Sequence, residues 1–94
     1  MRVRWLRKAL ANLDAEAAYI ARDNPAAAAR VVRAIEEAVQ NLTRFPALGR
    51  PGRAPGTREL VVPATPYIIP YRVRNDAVEI LRVFHASRKW PRKF

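Results

Sequence analysis

The chain has 94 residues, half of them apolar, which suits one domain with a single hydrophobic core and excludes a disordered protein. Its 18 Lys and Arg residues outweigh 8 Asp and Glu to give a formal net charge of +10. The absence of cysteine excludes a disulfide framework, a zinc finger and a thiol nucleophile, and a single histidine excludes a multi-histidine metal site. We expect no cofactor, no membrane-spanning segment, no signal peptide, and a location in the bacterial cytoplasm.

The chain begins with a predicted strand and a predicted helix. Residues 1–5 alternate basic and apolar side chains, which predicts an edge strand with Val3 and Trp5 turned inward. The apolar period then becomes helical, and a helix is predicted over residues 6–23. Its inward stripe is predicted to be Leu10, Leu13, Ala17 and Ile20.

A second helix is predicted over residues 25–44. Asn24 is a favourable cap and Pro25 suits the first helical position. Because one short turn separates the two helices, we expect an antiparallel helical hairpin. The inward stripe of this helix is Ala28, Val31, Val32, Ile35, Val39 and Leu42.

The second half of the chain has the pattern of a sheet. Residues 45–57 contain three prolines and all three glycines, which predicts a loop. Residues 58–85 are predicted to form a three-stranded sheet, with Asn75-Asp76 as a tight turn before the last strand. Pro70 cannot donate a backbone hydrogen bond, so it should lie at an unpaired side or a bulge. The predicted fold is therefore α+β: an N-terminal edge strand and an antiparallel helical hairpin packed on a small antiparallel β-sheet, in the order β-α-α-β-β-β.

Positive charge is concentrated in the second half. Residues 44–94 hold eleven Lys or Arg and three acids, a local balance of +8, and residues 86–94 form a basic tail. Segregated charge of this kind indicates a surface that meets an anionic partner, either nucleic acid or an acidic protein. The tail also carries an aromatic residue, Trp90, among its cations, which favours contact with a partner.

Several segments together resemble one known family. The chain resembles the toxins of the RelE/ParE superfamily, the stable halves of bacterial type II toxin–antitoxin pairs, over nearly its whole length. The segments that carry this likeness are Tyr19-Ile20-Ala21, Asn24 to Ala28, Phe45-Pro46, Leu48 to Gly52, Pro55 to Leu60, Pro66 to Ile69, Tyr71-Arg72-Val73, Ile80 to Val83, His85 and Arg88.

The resemblance implies one of two activities. The RelE branch cleaves messenger RNA in the ribosome, a metal-independent reaction that needs a base, an acid and cations. The ParE branch binds DNA gyrase and traps it on cleaved DNA without chemistry of its own. Nuclease members carry an arginine just after the first tyrosine of a Tyr-x-x-x-Tyr strand, but Ile68 follows Tyr67 here, and Trp90 cannot serve as an acid or a base.

We therefore expect a ParE-like inhibitor of gyrase with no favoured catalytic residue. A RelE-like endoribonuclease would have to use His85 together with Arg88 or Arg72, and a non-toxic member that acts in binding and autoregulation is the third alternative. The resemblance also implies a hetero-oligomer with a cognate antitoxin, ParD-like or other, whose acidic C-terminal segment folds on the toxin. The residues expected to contact the target or the antitoxin are Arg58, Arg72, Arg82, His85, Arg88, Lys89 and Trp90.

Overall fold

The computed structural model describes all residues 1–94 and contains two helices and six strands. The strands and helices follow one another as β1 (Arg2–Trp5), α1 (Arg7–Ala21), α2 (Pro25–Asn41), β2 (Arg50–Pro51), β3 (Arg58–Val61), β4 (Tyr67–Arg74), β5 (Ala77–Ile80) and β6 (Phe84–His85). The predicted α+β class and element order are confirmed, with β2 and β6 as additional short strands.

The helical hairpin forms as predicted, with small differences at its ends. The side chain of Asn24 accepts a hydrogen bond from the Ala27 amide at 3.0 Å, so it caps α2 as expected. The first helix covers 7–21 rather than 6–23, because the Leu6 amide instead extends the sheet by donating to the Ile80 carbonyl. The second helix ends at Asn41 rather than at residue 44, and residues 42–44 form a turn.

The sheet has the strand order β1-β5-β4-β3-β2, and β6 continues the line of β5 beside β4. β1 lies at an edge, as predicted, but it runs parallel to β5 while every other pair is antiparallel. The sheet is therefore mixed, whereas a purely antiparallel sheet was expected. Asn75 and Asp76 both have positive φ angles, 52° and 59°, which is the geometry of the tight two-residue hairpin turn predicted there.

The predicted last strand, 77–85, is interrupted between β5 and β6, and this interruption explains how a proline at position 70 is accommodated in the neighbouring strand β4. Tyr71 pairs with Ile80 and Ile68 pairs with Phe84, so two residues of β4 face three residues, 81–83, of the neighbouring segment. This one-residue excess is a bulge. The Pro70 carbonyl accepts from the Leu81 amide, so the ring nitrogen, which has no hydrogen to donate, lies beside the bulge where the ladder is already broken.

The core lies between the hairpin and one face of the sheet. Val3 and Trp5 are partly buried against it, as predicted, and so are Leu13 and Ile20 of α1. The prediction for Leu10 is wrong: this side chain is 46% exposed, and Ala9 is the fully buried residue of α1. The buried cluster contains Ala9, Ile35, Val39, Leu42, Leu60, Val62, Tyr67, Ile69, Tyr71, Val78, Ile80 and Val83.

Candidate functional site

The two faces of the sheet have different surroundings. Tyr67, Ile69 and Tyr71 of β4 belong to the core under the hairpin, and this side is called the helix face. Because side chains alternate along a strand, Ile68 and Arg72 point to the opposite side, called the open face. No helix covers the open face, so it is the first place to look for a site that meets a partner.

The tail turns back over part of the open face. Phe84 pairs with Ile68, and its ring lies 4.7 Å from the Trp90 ring and 5.5 Å from the Phe94 ring, measured between centroids. The guanidinium of Arg53 stacks 3.5 Å above the centroid of Trp90. The basic tail is thus held by aromatic packing, and Trp90 is an anchor for it rather than a freely exposed side chain.

One row of charges crosses the open face from β1 to β4. Glu79 is almost fully buried, and it accepts a hydrogen bond from Arg72 at 2.7 Å and another from Arg4 at 3.3 Å. Hydrogen bonding from Arg72 and the charges of the neighbouring arginines outweigh burial and lower the pKa of Glu79. Arg72, one of the residues expected to contact the target or the antitoxin, is thus bound within the protein by Glu79.

A second charge cluster lies where β3 meets the loop before it. The side chain of Glu59 is 4% exposed and accepts from Arg50 at 3.3 Å, from the Arg53 side chain at 3.1 Å and from the Arg53 amide at 3.0 Å. Burial alone would raise the pKa of Glu59, but the hydrogen bonds from Arg53 and Arg50 lower it. Arg50 and Arg53 are therefore half exposed at the surface of the loop and at the same time paired with this buried carboxylate.

These ion pairs determine whether the arginines in the middle of the open face could stabilise a reacting phosphate. A phosphorane intermediate needs cations that are free to approach it, but Arg72, Arg50 and Arg53 each already bind a buried carboxylate. Ile68, which follows the first tyrosine of β4, is 7% exposed and packs within the protein. Each of the two carboxylates is shared by two arginines, so the arginines in the middle of this face are internally paired although the face keeps a net positive charge.

The histidine lies on the other side of the sheet. His85 pairs with Tyr67 in the β6–β4 ladder, and their rings meet edge to face with centroids 5.6 Å apart. The Tyr67 hydroxyl donates to Glu16 of α1 at 2.8 Å, and Arg88 binds the other oxygen of Glu16 at 2.7 Å. Arg88 also lies 5.6 Å from the centroid of the Tyr19 ring. These five residues, here called the α1-edge cluster, join the helix, the sheet and the tail.

The α1-edge cluster has limited capacity for proton transfer. Burial, with further contributions from the hydrogen bond and charge of Glu16, raises the pKa of Tyr67 to about 12, so its phenolate is scarce at neutral pH. The Nδ1 atom of His85 accepts from the Ser87 amide at 3.2 Å, which puts the proton of the neutral ring on Nε2. No carboxylate contacts the ring, so the usual arrangement that orients a general base is absent.

The other predicted contact residues have different environments. Arg58 faces the hairpin side and donates to the Gly49 carbonyl at 2.8 Å, so it fastens the loop before β2. Arg82 donates to the side chain of Asn12 at 2.8 Å and stabilises the bulge. Lys89 is exposed and makes no hydrogen bond or ion pair. Of these three, only Lys89 is fully available to a partner.

Several residues of the site were not identified from the sequence. Glu16 is the acid that binds both Tyr67 and Arg88, and it was not among the expected site residues. Arg53, which stacks on Trp90, was not among them either. The partners of each contact lie far apart in the chain, so no local spacing could reveal them. The one usable signal was that residues 44–94 hold only three acids among eleven cations, and two of these acids, Glu59 and Glu79, are each shared by two arginines.

Comparison with known proteins gives consistent results. Residues 3–90 match the sequence profile of the ParE toxin of the type II toxin–antitoxin system, parDE. Y4kP of Sinorhizobium fredii, a protein named as a toxin, is 57% identical over 90 residues, which are 96% of this chain and 93% of the relative. Toxin RelE2 of Caulobacter vibrioides is 40% identical over 84 residues, which are 89% and 93% of the two chains. A solved chromosomal ParDE toxin–antitoxin system from P. aeruginosa superposes with a TM-score of 0.82 at 34% identity, covering 93% of this chain and 97% of the other.

The fold, a helical hairpin on a mixed sheet with a basic tail, places the molecule in the RelE/ParE superfamily of toxins. Within it, the chain belongs to the ParE toxin family of type II toxin–antitoxin systems. Neither of its helices is long and apolar enough to cross a membrane.

Proposed function

We propose that this toxin inhibits DNA gyrase by binding it and is neutralised by a cognate antitoxin in a hetero-oligomeric complex in the bacterial cytoplasm. Support comes from the match to the ParE family over residues 3–90 and from the likeness to the toxin of a solved ParDE system. A binding mechanism needs a rigid, charged surface and no proton-transfer groups.

The observation that carries this proposal is that the arginines of the open face are already paired with buried carboxylates. RNA cleavage would require free cations around the scissile phosphate together with an acid and a base. Arg72 is instead bound at 2.7 Å to Glu79, and Ile68 is buried where a cation would be needed. Tyr67 holds its proton up to about pH 12. The residues present favour recognition of a partner over catalysis.

The antitoxin is proposed to bind across the helical hairpin and also to the positively charged part of the chain, residues 44–94. A groove of about 560 Å³ runs between α1 and α2, and its walls are alanines and Val32, with Arg33 and Glu36 at its margin. Small side chains let the backbone of an amphipathic helix approach closely. The local charge of +8 over residues 44–94 would attract an acidic segment and speed its capture.

A RelE-like ribonuclease is the second candidate, and two observations favour it. One relative carries the name Toxin RelE2, and the α1-edge cluster brings His85, Arg88 and Tyr67 together. In that case His85 would act as the proton-transfer group and Arg88 would have to leave Glu16 to reach a phosphate. Arg72 would have to be released from Glu79 in the same way.

Two assays run side by side test the proposal. Purified toxin is added to gyrase with relaxed plasmid, and separately to ribosomes programmed with messenger RNA. We expect loss of supercoiling and intact messenger. Messenger cleavage that His85→Ala abolishes and the control variant Gln40→Ala, at an exposed position of α2, retains would overturn the proposal in favour of the ribonuclease. Inactivity in both assays would favour a non-toxic member that acts in binding and autoregulation.

A further inference from the structure

A cationic cleft lies beside the paired arginines of the open face. It is bounded by the start of α1, by residues 54–57, by Leu81 and by the end of the tail, and its volume is about 590 Å³. We call it the tail cleft. Five of its eleven lining residues are cationic and none is acidic: Arg7, Lys8, Arg72, Arg92 and Lys93. Its size falls in the range of ligand sites, roughly 300–1,000 Å³.

Most of these cations lack a counter-ion in the protein. The five ion pairs of the structure use Arg4, Arg50, Arg53, Arg72 and Arg88 as their cations, so Arg72 is the only lining residue of the cleft among them. The Nζ of Lys8 donates to the main-chain oxygen of Phe94 at 2.9 Å, which holds the tail over the cleft, so Arg7, Arg92 and Lys93 are the lining cations without a partner. The contrast with the paired arginines nearby is the main reason to expect an external anion here.

The start of α1 adds to the excess of positive charge in the tail cleft. Leu6 precedes the helix and its side chain cannot cap it, and the first turn contains no acid. The free amides carry partial positive charge, and Arg7 and Lys8 place cations beside them, an arrangement that the helix dipole makes unfavourable. The second helix shows no such defect, because Asn24 caps it. A bound anion would relieve the repulsion at α1.

We propose that the tail cleft binds the phosphate backbone of DNA. Apart from its cations, the cleft is lined largely by apolar groups such as Leu6, Leu81 and Phe94. The hydroxyl of Thr57 already donates to the Ala54 carbonyl at 2.6 Å, so it is not free to donate to a base edge. Contacts limited to phosphates position a protein on DNA without reading sequence. The choice of DNA rests on the proposed function, in which the toxin acts beside the DNA that gyrase holds.

The test compares two variants with the same loss of charge. Arg7→Ala/Arg92→Ala removes two cations from the cleft, and Arg22→Ala/Arg30→Ala removes two cations from the helical hairpin, outside the cleft. All four side chains are exposed and none makes a hydrogen bond or an ion pair, so both variants should fold. Binding of a fluorescent duplex oligonucleotide to the purified toxin is measured by polarisation over a series of salt concentrations.

The cleft variant is expected to reduce the slope of log affinity against log salt by about 2, since each lost phosphate contact removes about 0.9 from it. By the same relation, each contact is worth roughly tenfold in affinity near 0.1 M salt. The control variant should keep the wild-type slope. Equal losses in the two variants would mean that binding follows net charge alone and would overturn the proposal. Displacement of the duplex by a single-stranded RNA at a far lower concentration would overturn the assignment to DNA.

This outcome can be separated from that of the proposed function. A toxin that binds DNA through the cleft but leaves gyrase unaffected would refute gyrase inhibition while the cleft assignment stands. A toxin that inhibits gyrase, and whose cleft variant binds DNA as tightly as wild type, would refute the cleft assignment alone.

Discussion

The hydroxyl of Tyr71 offers a sharp test of how the second half of the chain is held in place. It donates to the Pro46 carbonyl at 2.7 Å and accepts from the Gly49 amide at 2.8 Å, and Tyr71 is fully buried. These two bonds fix the loop that leads from α2 into β2. Tyr71→Phe would remove both bonds and keep the ring, so the packing of the core is preserved.

The expected cost follows from the two groups left without a partner. A buried amide that loses its partner costs about 1–3 kcal/mol, and the partly buried Pro46 carbonyl should lie at the lower end of that range because water can reach it. We expect Tyr71→Phe to lower the free energy of unfolding by about 2–3 kcal/mol. For a domain of this size that is a fall in melting temperature of roughly 10–20 °C.

Urea unfolding of purified toxin, followed by circular dichroism, measures this change. Tyr19→Phe is the matched control, because Tyr19 is 59% exposed and its hydroxyl makes no hydrogen bond. The control should change stability by less than about 0.5 kcal/mol. If Tyr71→Phe is as stable as Tyr19→Phe, the hydroxyl does not hold the loop and the reasoning is wrong.

Three further predictions concern packing and ionisation. Gly49→Ala should destabilise the protein severely, because its Cβ would lie 2.6 Å from the ring of Tyr71 and 2.9 Å from the Glu59 carbonyl; thermal unfolding measures this. Glu59→Gln should cost about 1–2 kcal/mol at neutral pH, a modest value because its arginine partners are half exposed. The pKa of Glu59 is lowered in the folded protein, so the stability that its carboxylate contributes is present above pH 4.5 and is lost as pH falls through the folded pKa. A stability difference between wild type and Glu59→Gln that persists in strong acid would contradict this. The pKa of Tyr67 is raised from 10.0 to about 12, so stability is retained below pH 10 and declines from there to about pH 12; Tyr67→Phe should remove that part of the decline in alkaline unfolding curves.

Features that depend on local rules could be predicted from the sequence. Asn24 caps α2 because its side chain reaches an amide three residues on, and Asn75-Asp76 forms a hairpin turn because both residues tolerate positive φ. The bulge at Pro70 could also be expected, because a proline cannot donate to a ladder. These are constraints within a few residues, which periodicity and composition express directly.

Features that depend on packing between distant segments could not be predicted in the same way. Both Ala9 and Leu10 are compatible with an inward stripe on α1, and the structure buries Ala9 fully while Leu10 is 46% exposed. The segment from His85 to Trp90 was read as one docking surface. The structure divides it, with His85 beside Tyr67 on the helix face and Trp90 beside Phe84 on the open face. Charge composition indicated a cationic surface but could not show which arginines are already paired.

The central claim, that the toxin inhibits gyrase by binding it, is tested most directly by the accumulation of linear plasmid. Gyrase, supercoiled plasmid and ATP are incubated with the purified toxin, and detergent and protease are then added to release any cleaved DNA. A toxin that traps gyrase on cleaved DNA is expected to raise the linear fraction with toxin concentration, and preincubation with the cognate antitoxin should abolish the effect. His85→Ala should act like wild type, because binding requires no proton transfer. No linear product at toxin concentrations that cleave messenger RNA on ribosomes would contradict this account.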